Sequence, residues 1–176
     1  MDNLVLIGMP GSGKSSVGVL LAKTLGYGFL DVDLLIQQRE GALLQHLVDR
    51  LGSEGFLDAE ARVIRTVACR STVVAPGGSA VCRPDAMDHL KALGTVVYLR
   101  LPCEALEKRI RNMGTRGIVM APGQTFRDLY NERVPLYDRY ADLTVDAEGQ
   151  TLEETVDAVR QALAAHGIHS SRTFLT

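Results

Sequence analysis

The sequence predicts an α/β fold, a parallel sheet with helices on both of its faces. Two observations predict it. Short apolar, β-branched runs alternate with helix-period segments along the chain, and the first such pair is joined by a glycine-rich loop. At 176 residues the chain has the length of one ordinary domain, 1–176, able to bury about 70% of the surface its unfolded form exposes.

The elements follow in order. Leu4-Val5-Leu6-Ile7 reads as a buried strand, and Val17, Leu20, Leu21 and Leu25 recur at helical spacing until Gly26 stops the pattern. Gly28-Phe29-Leu30-Asp31-Val32 reads as a second strand, with a helix starting at Asp33 through Leu34, Leu35 and Ile36. Leu44, Leu47, Val48 and Leu51 mark a short helix closed by Gly52, and residues 55–70 a longer one. Thr72-Val73-Val74-Ala75 is the third strand, broken by Pro76-Gly77-Gly78. A helix over 84–93, a strand over 95–101 and a helix over 104–113 continue the alternation. Then the rhythm breaks. From Asn112 to Gln124 no periodicity survives, and Gly114, Gly117, Pro122 and Gly123 surround Arg116. An irregular insert of this length inside a compact α/β fold is expected to be a lid or a binding loop. Helix returns over 129–140 despite Pro135, Leu143-Thr144-Val145 is the last strand, and residues 152–165 form the closing helix. The tail to Thr176 is expected to be loosely held.

Composition narrows the function classes. Lys and Arg number 19 against 21 Asp and Glu, so no global field attracts nucleic acid or an anionic membrane, and aromatic residues for base stacking are only 5% of the chain. No apolar stretch approaches membrane-spanning length and no signal-peptide pattern is present, so the expectation is a soluble, cytoplasmic protein without membrane partners. Cys69, Cys82 and Cys103 lack metal-ligand spacing and suit a reducing compartment. His166 and His169 have no acidic or cysteine partner nearby and read as solvated polar residues.

The chemistry gathers at the ends of the predicted strands. Gly8-Met9-Pro10-Gly11-Ser12-Gly13-Lys14-Ser15 fits G-x-x-x-x-G-K-[ST] and lies where that motif must, between strand and helix. Its glycines let backbone N–H groups curl around a polyphosphate, Lys14 reaches the outer phosphates and the Ser15 hydroxyl ligates Mg²⁺. Asp31 and Asp33 fall at the carboxyl end of the second strand, the edge where parallel sheets bind ligands. One suits Mg²⁺ through water and the other a hydroxyl proton; the alternative is an N-capping Asp33 beside a solvated Asp31. Gly77-Gly78 is either a turn or a pair of backbone donors to an anion. Arginines stabilise the charge of phosphoryl transfer, which singles out Arg116 in the insert, Arg109 before it and Arg133 after it. Arg116 reads alternatively as a solvated loop charge, and Arg109 or Arg133 as a surface ion-pair member, Arg133 with Glu132 or Asp128.

The ordered set GMPGSGKSSVG, FLDVD, GSEGFLDAE, APGGSAV, an arginine in the insert and ERVPLYDRYAD resembles the shikimate kinase family, at closely similar spacing from about residue 3 to about residue 146. The resemblance implies a three-layer P-loop kinase fold of the nucleoside-monophosphate-kinase type. It would have a five-stranded parallel sheet, a mobile lid at about 112–124 and acceptor-binding helices at about 33–70. It implies a monomer that uses ATP and Mg²⁺ to phosphorylate a hydroxyl of a small, carboxylate-bearing acceptor. By position, Gly11, Ser12, Gly13, Lys14, Ser15 and Ser16 would hold the nucleotide phosphates, Arg109 would pack on adenine, and Ser15 and Asp31 would hold Mg²⁺. Asp33 would bind the accepting hydroxyl and act as base, Gly77 and Gly78 would offer donors to the acceptor, Arg116 would be the catalytic lid arginine and Arg133 would clamp the carboxylate.

Three departures fall on the acceptor side. The family's carboxylate-sharing arginine after the Phe is Leu57 here, its three-glycine turn is Gly77-Gly78-Ser79, and its Arg-Pro-Leu-Leu is Arg116-Gly117-Ile118-Val119. Losing a bidentate charged contact costs on the order of 1.5–3 kcal/mol unless Arg62 or Arg65 swings in, and Leu57 would make that wall of the pocket apolar. The expected function is therefore an ATP-dependent small-metabolite kinase, with shikimate to shikimate 3-phosphate the nearest named reaction. Another hydroxy acid or a hydroxy amino acid such as homoserine is the alternative acceptor. A nucleotide-binding regulator with little kinase activity is the alternative of another class, against which stands the absence of an Asn-Lys-x-Asp tetrapeptide.

Overall fold

The computed structural model describes residues 3–113 and 118–168, the side chains of 111–113 excepted. Its five strands are β1 (Asn3–Ile7), β2 (Gly28–Asp31), β3 (Thr72–Ala75), β4 (Gly94–Arg100) and β5 (Leu143–Asp146). They pair in the order β2-β3-β1-β4-β5, every neighbouring pair parallel. The helices are α1 (Lys14–Leu25), α2 (Val32–Glu40), α3 (Leu44–Ile64), α4 (Pro84–Leu93), α5 (Cys103–Met113), α6 (Phe126–Tyr140) and α7 (Leu152–Ala165).

Side chains alternate across β1 as the pleat requires. Leu4 and Leu6 pack with Val17 and Leu21 of α1 and Val159 and Leu163 of α7; Val5 and Ile7 pack on the other face with α3, α4 and α6. Both faces are covered, which is why the strands read as continuous apolar runs. Among the described residues no helix is long and apolar enough to cross a membrane.

The differences from the sequence reading lie at element ends. The helix expected over 55–70 stops at Ile64, where the Thr66 hydroxyl donates to the Val63 carbonyl at 2.7 Å and closes the last turn. The short helix that Gly52 was expected to close runs on past it with a kink, Gly52 having φ 69° and ψ 175°, and joins the longer one in α3. The helix expected from 129 begins at Phe126, because Thr125 and Asp128 form a reciprocal capping box. Most consequentially, α2 starts at Val32 and its N-cap is Asp31, whose Oδ1 accepts from the N–H of Asp33 at 3.0 Å and of Leu34 at 3.3 Å. Asp33 therefore sits in the first helical turn rather than on an extended strand. Of the insert expected over 112–124, Asn112 and Met113 belong to α5, residues 118–124 are irregular, and Gly114, Arg116 and Gly117 lie outside the described residues, as does His169.

The sheet order sets the site. β1 and β3 are neighbours, with Val5 opposite Val74, and β2 lies beside β3, with Asp31 opposite Ala75. The phosphate loop leaves β1, the Pro76-Gly77-Gly78 turn leaves β3 and α2 leaves β2, so three connections meet over the carboxyl ends of adjacent strands.

Candidate active site

The loop after β1 ends in Gly13, the N-cap of α1, at φ 92°, a left-handed conformation with no side chain to close the helix end. The first N–H groups of α1 thus lack a partner within the helix, beside a cavity of about 380 Å³ that Gly11, Gly13, Lys14, Ser15 and Ser16 border. This arrangement suits an anion. The Lys14 Nζ donates to the carbonyls of Gly8 at 2.9 Å and Met9 at 3.1 Å, curled under the loop. Burial of its charge pulls the amine down to about 8, against the opposing attraction of Asp33 and Asp31. The Ser15 hydroxyl donates to Asp31 Oδ2 at 2.7 Å. Among the described residues no three His, Cys, Asp or Glu side chains gather as a metal cage. Two hard oxygens beside an anion seat are the donor set for Mg²⁺ shared with phosphate oxygens and water.

Asp33 faces this cavity from α2. Burial, and then the neighbouring Asp31 carboxylate, push its carboxyl up to about 6, with Lys14 opposing. Across from it the turn after β3 is packed without slack. A Cβ on Gly77 would overlap Glu60 Oε1 and come within 2.9 Å of Asp33 Oδ1; one on Gly78 would lie 2.8 Å from the Pro10 ring. Ser79 Oγ donates to Glu60 Oε2 at 2.5 Å, and Tyr137 donates its hydroxyl to the Gly78 carbonyl at 2.6 Å. Gly77→Ala is therefore expected to lower stability by about 1–3 kcal/mol, read in a urea titration, and to raise the acceptor KM more than the ATP KM. A variant as stable as the parent would show that the two carboxylates yield freely to a methyl group.

Arg133, one turn before Tyr137 on α6, is 2% exposed. It makes no surface ion pair: Glu132 accepts from Gln124, Asp128 caps α6, and Arg133 Nη2 donates to the Val119 carbonyl at 2.9 Å. Its Nε is buried without a partner among the described residues, at the end of the cavity bordered by Val119 and Ile118. That is a guanidinium left with donors to spare. Tyr137 stacks on Tyr98 of β4 with ring centroids 5.1 Å apart, which fixes the α6 face carrying both groups. Arg109 of α5 donates to the Gly11 carbonyl at 3.4 Å and stands between this cavity and a second, of about 260 Å³, bordered by Ser12, Ser16, Gln150 and Thr151.

Comparison with known proteins agrees with this geometry. The sequence profile of the shikimate kinase family matches residues 10–164. The chain belongs to the shikimate kinase family. It is 35% identical over 162 residues to a shikimate kinase of Thermodesulfovibrio yellowstonii, covering 90% of this chain and 93% of the relative. A shikimate kinase of Thiobacillus denitrificans is 40% identical over 154 residues, covering 86% and 84%. Among solved structures, a shikimate kinase from Acinetobacter baumannii in complex with shikimate superposes with a TM-score of 0.88 at 30% identity, covering 96% of each chain. One from Aquifex aeolicus gives 0.81 at 29% identity, covering 94% of this chain and 98% of the other. The chain is thus an ATP-dependent phosphotransferase that acts on a hydroxyl group, rather than a regulator that only binds nucleotide.

Of the site residues expected from sequence, Gly11, Gly13, Lys14, Ser15, Ser16, Asp33, Gly77, Gly78, Arg109 and Arg133 border one cavity. Asp31 stands behind Ser15 and Ser12 is buried under the loop, while Arg116 lies outside the described residues. Leu57 departs from its expected place in the pocket wall. It is 7% exposed and packs into the core, because the face of α3 that carries it also carries Phe56, Ala61 and Ile64. Neither Arg62 nor Arg65 takes the place of the arginine missing at position 57, since Arg65 pairs with Asp85 and Arg62 is exposed. Among the described residues, the cations bordering the cavity are Lys14, Arg109 and Arg133. Sequence reasoning misses Glu60, Ser79 and Tyr137 as members of the site. The signal for Glu60 was its spacing: four residues after Phe56 and four before Ile64, a carboxyl on the apolar stripe of a helix.

Proposed function

We propose that this member of the shikimate kinase family transfers the γ-phosphate of ATP to a hydroxyl of shikimate, giving shikimate 3-phosphate and ADP. The observation that carries the acceptor class is the buried Arg133 fork, its Nε unpartnered among the described residues, across the cavity from a carboxyl raised to about 6. The fork takes the acceptor carboxylate and thereby turns a hydroxyl toward Asp33. Asp33 removes the hydroxyl proton as the new oxygen–phosphorus bond forms and the bond from the γ-phosphorus to the bridging oxygen of ADP breaks. Lys14 leaves its carbonyl partners for the β- and γ-phosphate oxygens, and the backbone donors of the loop hold the rest. Ser15, and Asp31 directly or through water, would hold Mg²⁺, whose charge would offset that of the phosphates. Arg109 faces the purine, the segment that follows α5 is the lid, Arg116 is its catalytic arginine, and α2 and α3 carry the acceptor.

A second acceptor class has an observation in its favour. With Leu57 in the core, a carboxylate meets one arginine fork where the family's pattern has two, so a smaller hydroxy acid or a hydroxy amino acid such as homoserine competes for the assignment. Coupled ATP turnover across a panel of these acceptors decides it. Shikimate is expected to give the highest kcat/KM, by about tenfold or more. A different acceptor in first place, or a large gain in shikimate turnover on Leu57→Arg, would move the assignment to the second class.

A further inference from the structure

Glu60 stands one helical turn after Leu57 on α3 and is 1% exposed. Its Oε2 accepts from Ser79 Oγ at 2.5 Å, and its Oε1, buried against Gly77 beside Asp33 Oδ1, has no partner among the described residues. Among the described residues, the ionisable groups facing it come from four elements: Asp33 of α2, Lys14 of α1, Arg133 of α6 and Cys82 in the short 3-10 turn Ala80–Cys82. Neither cation touches the carboxyl, since Lys14 is bonded to Gly8 and Met9 and Arg133 to Val119. A buried carboxylate with one hydroxyl donor and no ion partner is poorly compensated, and an arginine three residues earlier on the same face would have been its neighbour.

We propose that Glu60 is a specificity-determining residue of the acceptor pocket, which must carry a proton on Oε1 for a carboxylate-bearing acceptor to bind at Arg133. The inference rests on the acceptor class proposed above. An acceptor carboxylate drawn to Arg133 enters the field of Glu60, and in a poorly hydrated pocket two like charges oppose each other strongly. Loss of the proton sets Glu60 against the acceptor and lets it compete for Arg133. Leu57 makes this happen in the working range, because position 57, one turn before Glu60, offers no guanidinium to hold it ionised from the outset. Burial, opposed by the Ser79 hydrogen bond, pushes the carboxyl up to about 7.

The test is the shikimate KM of the whole chain between pH 6.5 and pH 8.5, at saturating ATP and Mg²⁺, with the ATP KM measured in parallel. In the parent the shikimate KM is expected to rise about tenfold per pH unit above the midpoint, as for one linked proton. Glu60→Gln, which keeps the shape and can still bond Ser79, is expected to hold the rise to less than about twofold. The ATP KM reports Lys14 and separates the two. A second measurement needs no variant: calorimetry of shikimate binding at pH 8, in two buffers of different ionisation enthalpy, is expected to show uptake approaching one proton. A parent that turns shikimate over with a pH-independent KM, a Glu60→Gln profile that tracks the parent, or binding without proton uptake each overturns the role of Glu60 and leaves the acceptor assignment standing. No turnover of shikimate even at pH 6.5 overturns the acceptor assignment instead, and proton uptake is then read with the hydroxy acid the panel selects.

Discussion

Lys14→Ala is expected to lower kcat/KM by about 10²–10³-fold while leaving a folded protein, as measured by coupled ADP release and thermal melting. The amine lies under the phosphate loop on the Gly8 and Met9 carbonyls, within reach of an anion seated on the α1 N-terminus. With charge developing on the transferring phosphoryl group, a fixed cation there contributes more to the transition state than to ATP binding. Stability moves little because two effects oppose. A lysine pulled down to about 8 from 10.5 holds fewer protons folded than unfolded in that window, so the parent gains stability as pH rises through it, and its charge is unfavourable at pH 7. Alanine removes that penalty and also the partner of two buried carbonyls. The ATP-induced rise in melting temperature is expected to shrink along with turnover. A variant that keeps a tenth or more of the parent kcat/KM takes Lys14 out of the phosphoryl-transfer step.

The donor side was legible because its chemistry is local. Gly8 through Ser15 carries loop, helix start and cation within one stretch of chain, and the structure sets Pro10, Gly11, Gly13, Lys14 and Ser15 around one cavity. The sheet was legible for a related reason: strands buried on both faces read as uninterrupted apolar runs, and parallel neighbours need the intervening helices. The acceptor side was not, because it is assembled from α2, α3, the turn after β3 and α6. Asp33 reaches the cavity from the first turn of a helix that Asp31 caps, not from the strand end where the sequence sets it. Leu57 illustrates the limit. Its identity was visible, but whether it lined the pocket depended on the rotation of α3, which the apolar stripe through Phe56 and Ile64 sets and which turns Leu57 inward. The consequence passes to Glu60, whose lack of a cation partner is a tertiary fact. Tyr137 is similar, since its hydroxyl bond to Gly78 links residues 59 apart in sequence.

Asp33→Asn is expected to reduce kcat by about 10²–10⁴-fold with the ATP-induced thermal shift preserved, which separates it from Lys14→Ala. The amide copies the carboxyl in size and can still accept a hydrogen bond from the acceptor hydroxyl, so binding survives better than proton removal. Two features make the carboxyl suited to the task. Burial and the Asp31 carboxylate lift it to about 6, so it takes up a proton more readily than an ordinary aspartate yet stands largely ionised at pH 7. Its position is also held from both sides, by α2 starting at the Asp31 cap and by Gly77, whose missing side chain lets Asp33 Oδ1 and Glu60 Oε1 approach one point. If the role were only to position the hydroxyl, Asn would keep most of kcat and change mainly the acceptor KM. Pre-steady-state measurement of the first turnover distinguishes these, because a base acts on the chemical step, whereas a positioning group acts on acceptor occupancy, which saturating acceptor restores. Full recovery of the first-turnover rate at saturating acceptor would assign Asp33 to positioning and leave the hydroxyl proton to be taken by the transferring phosphoryl oxygens.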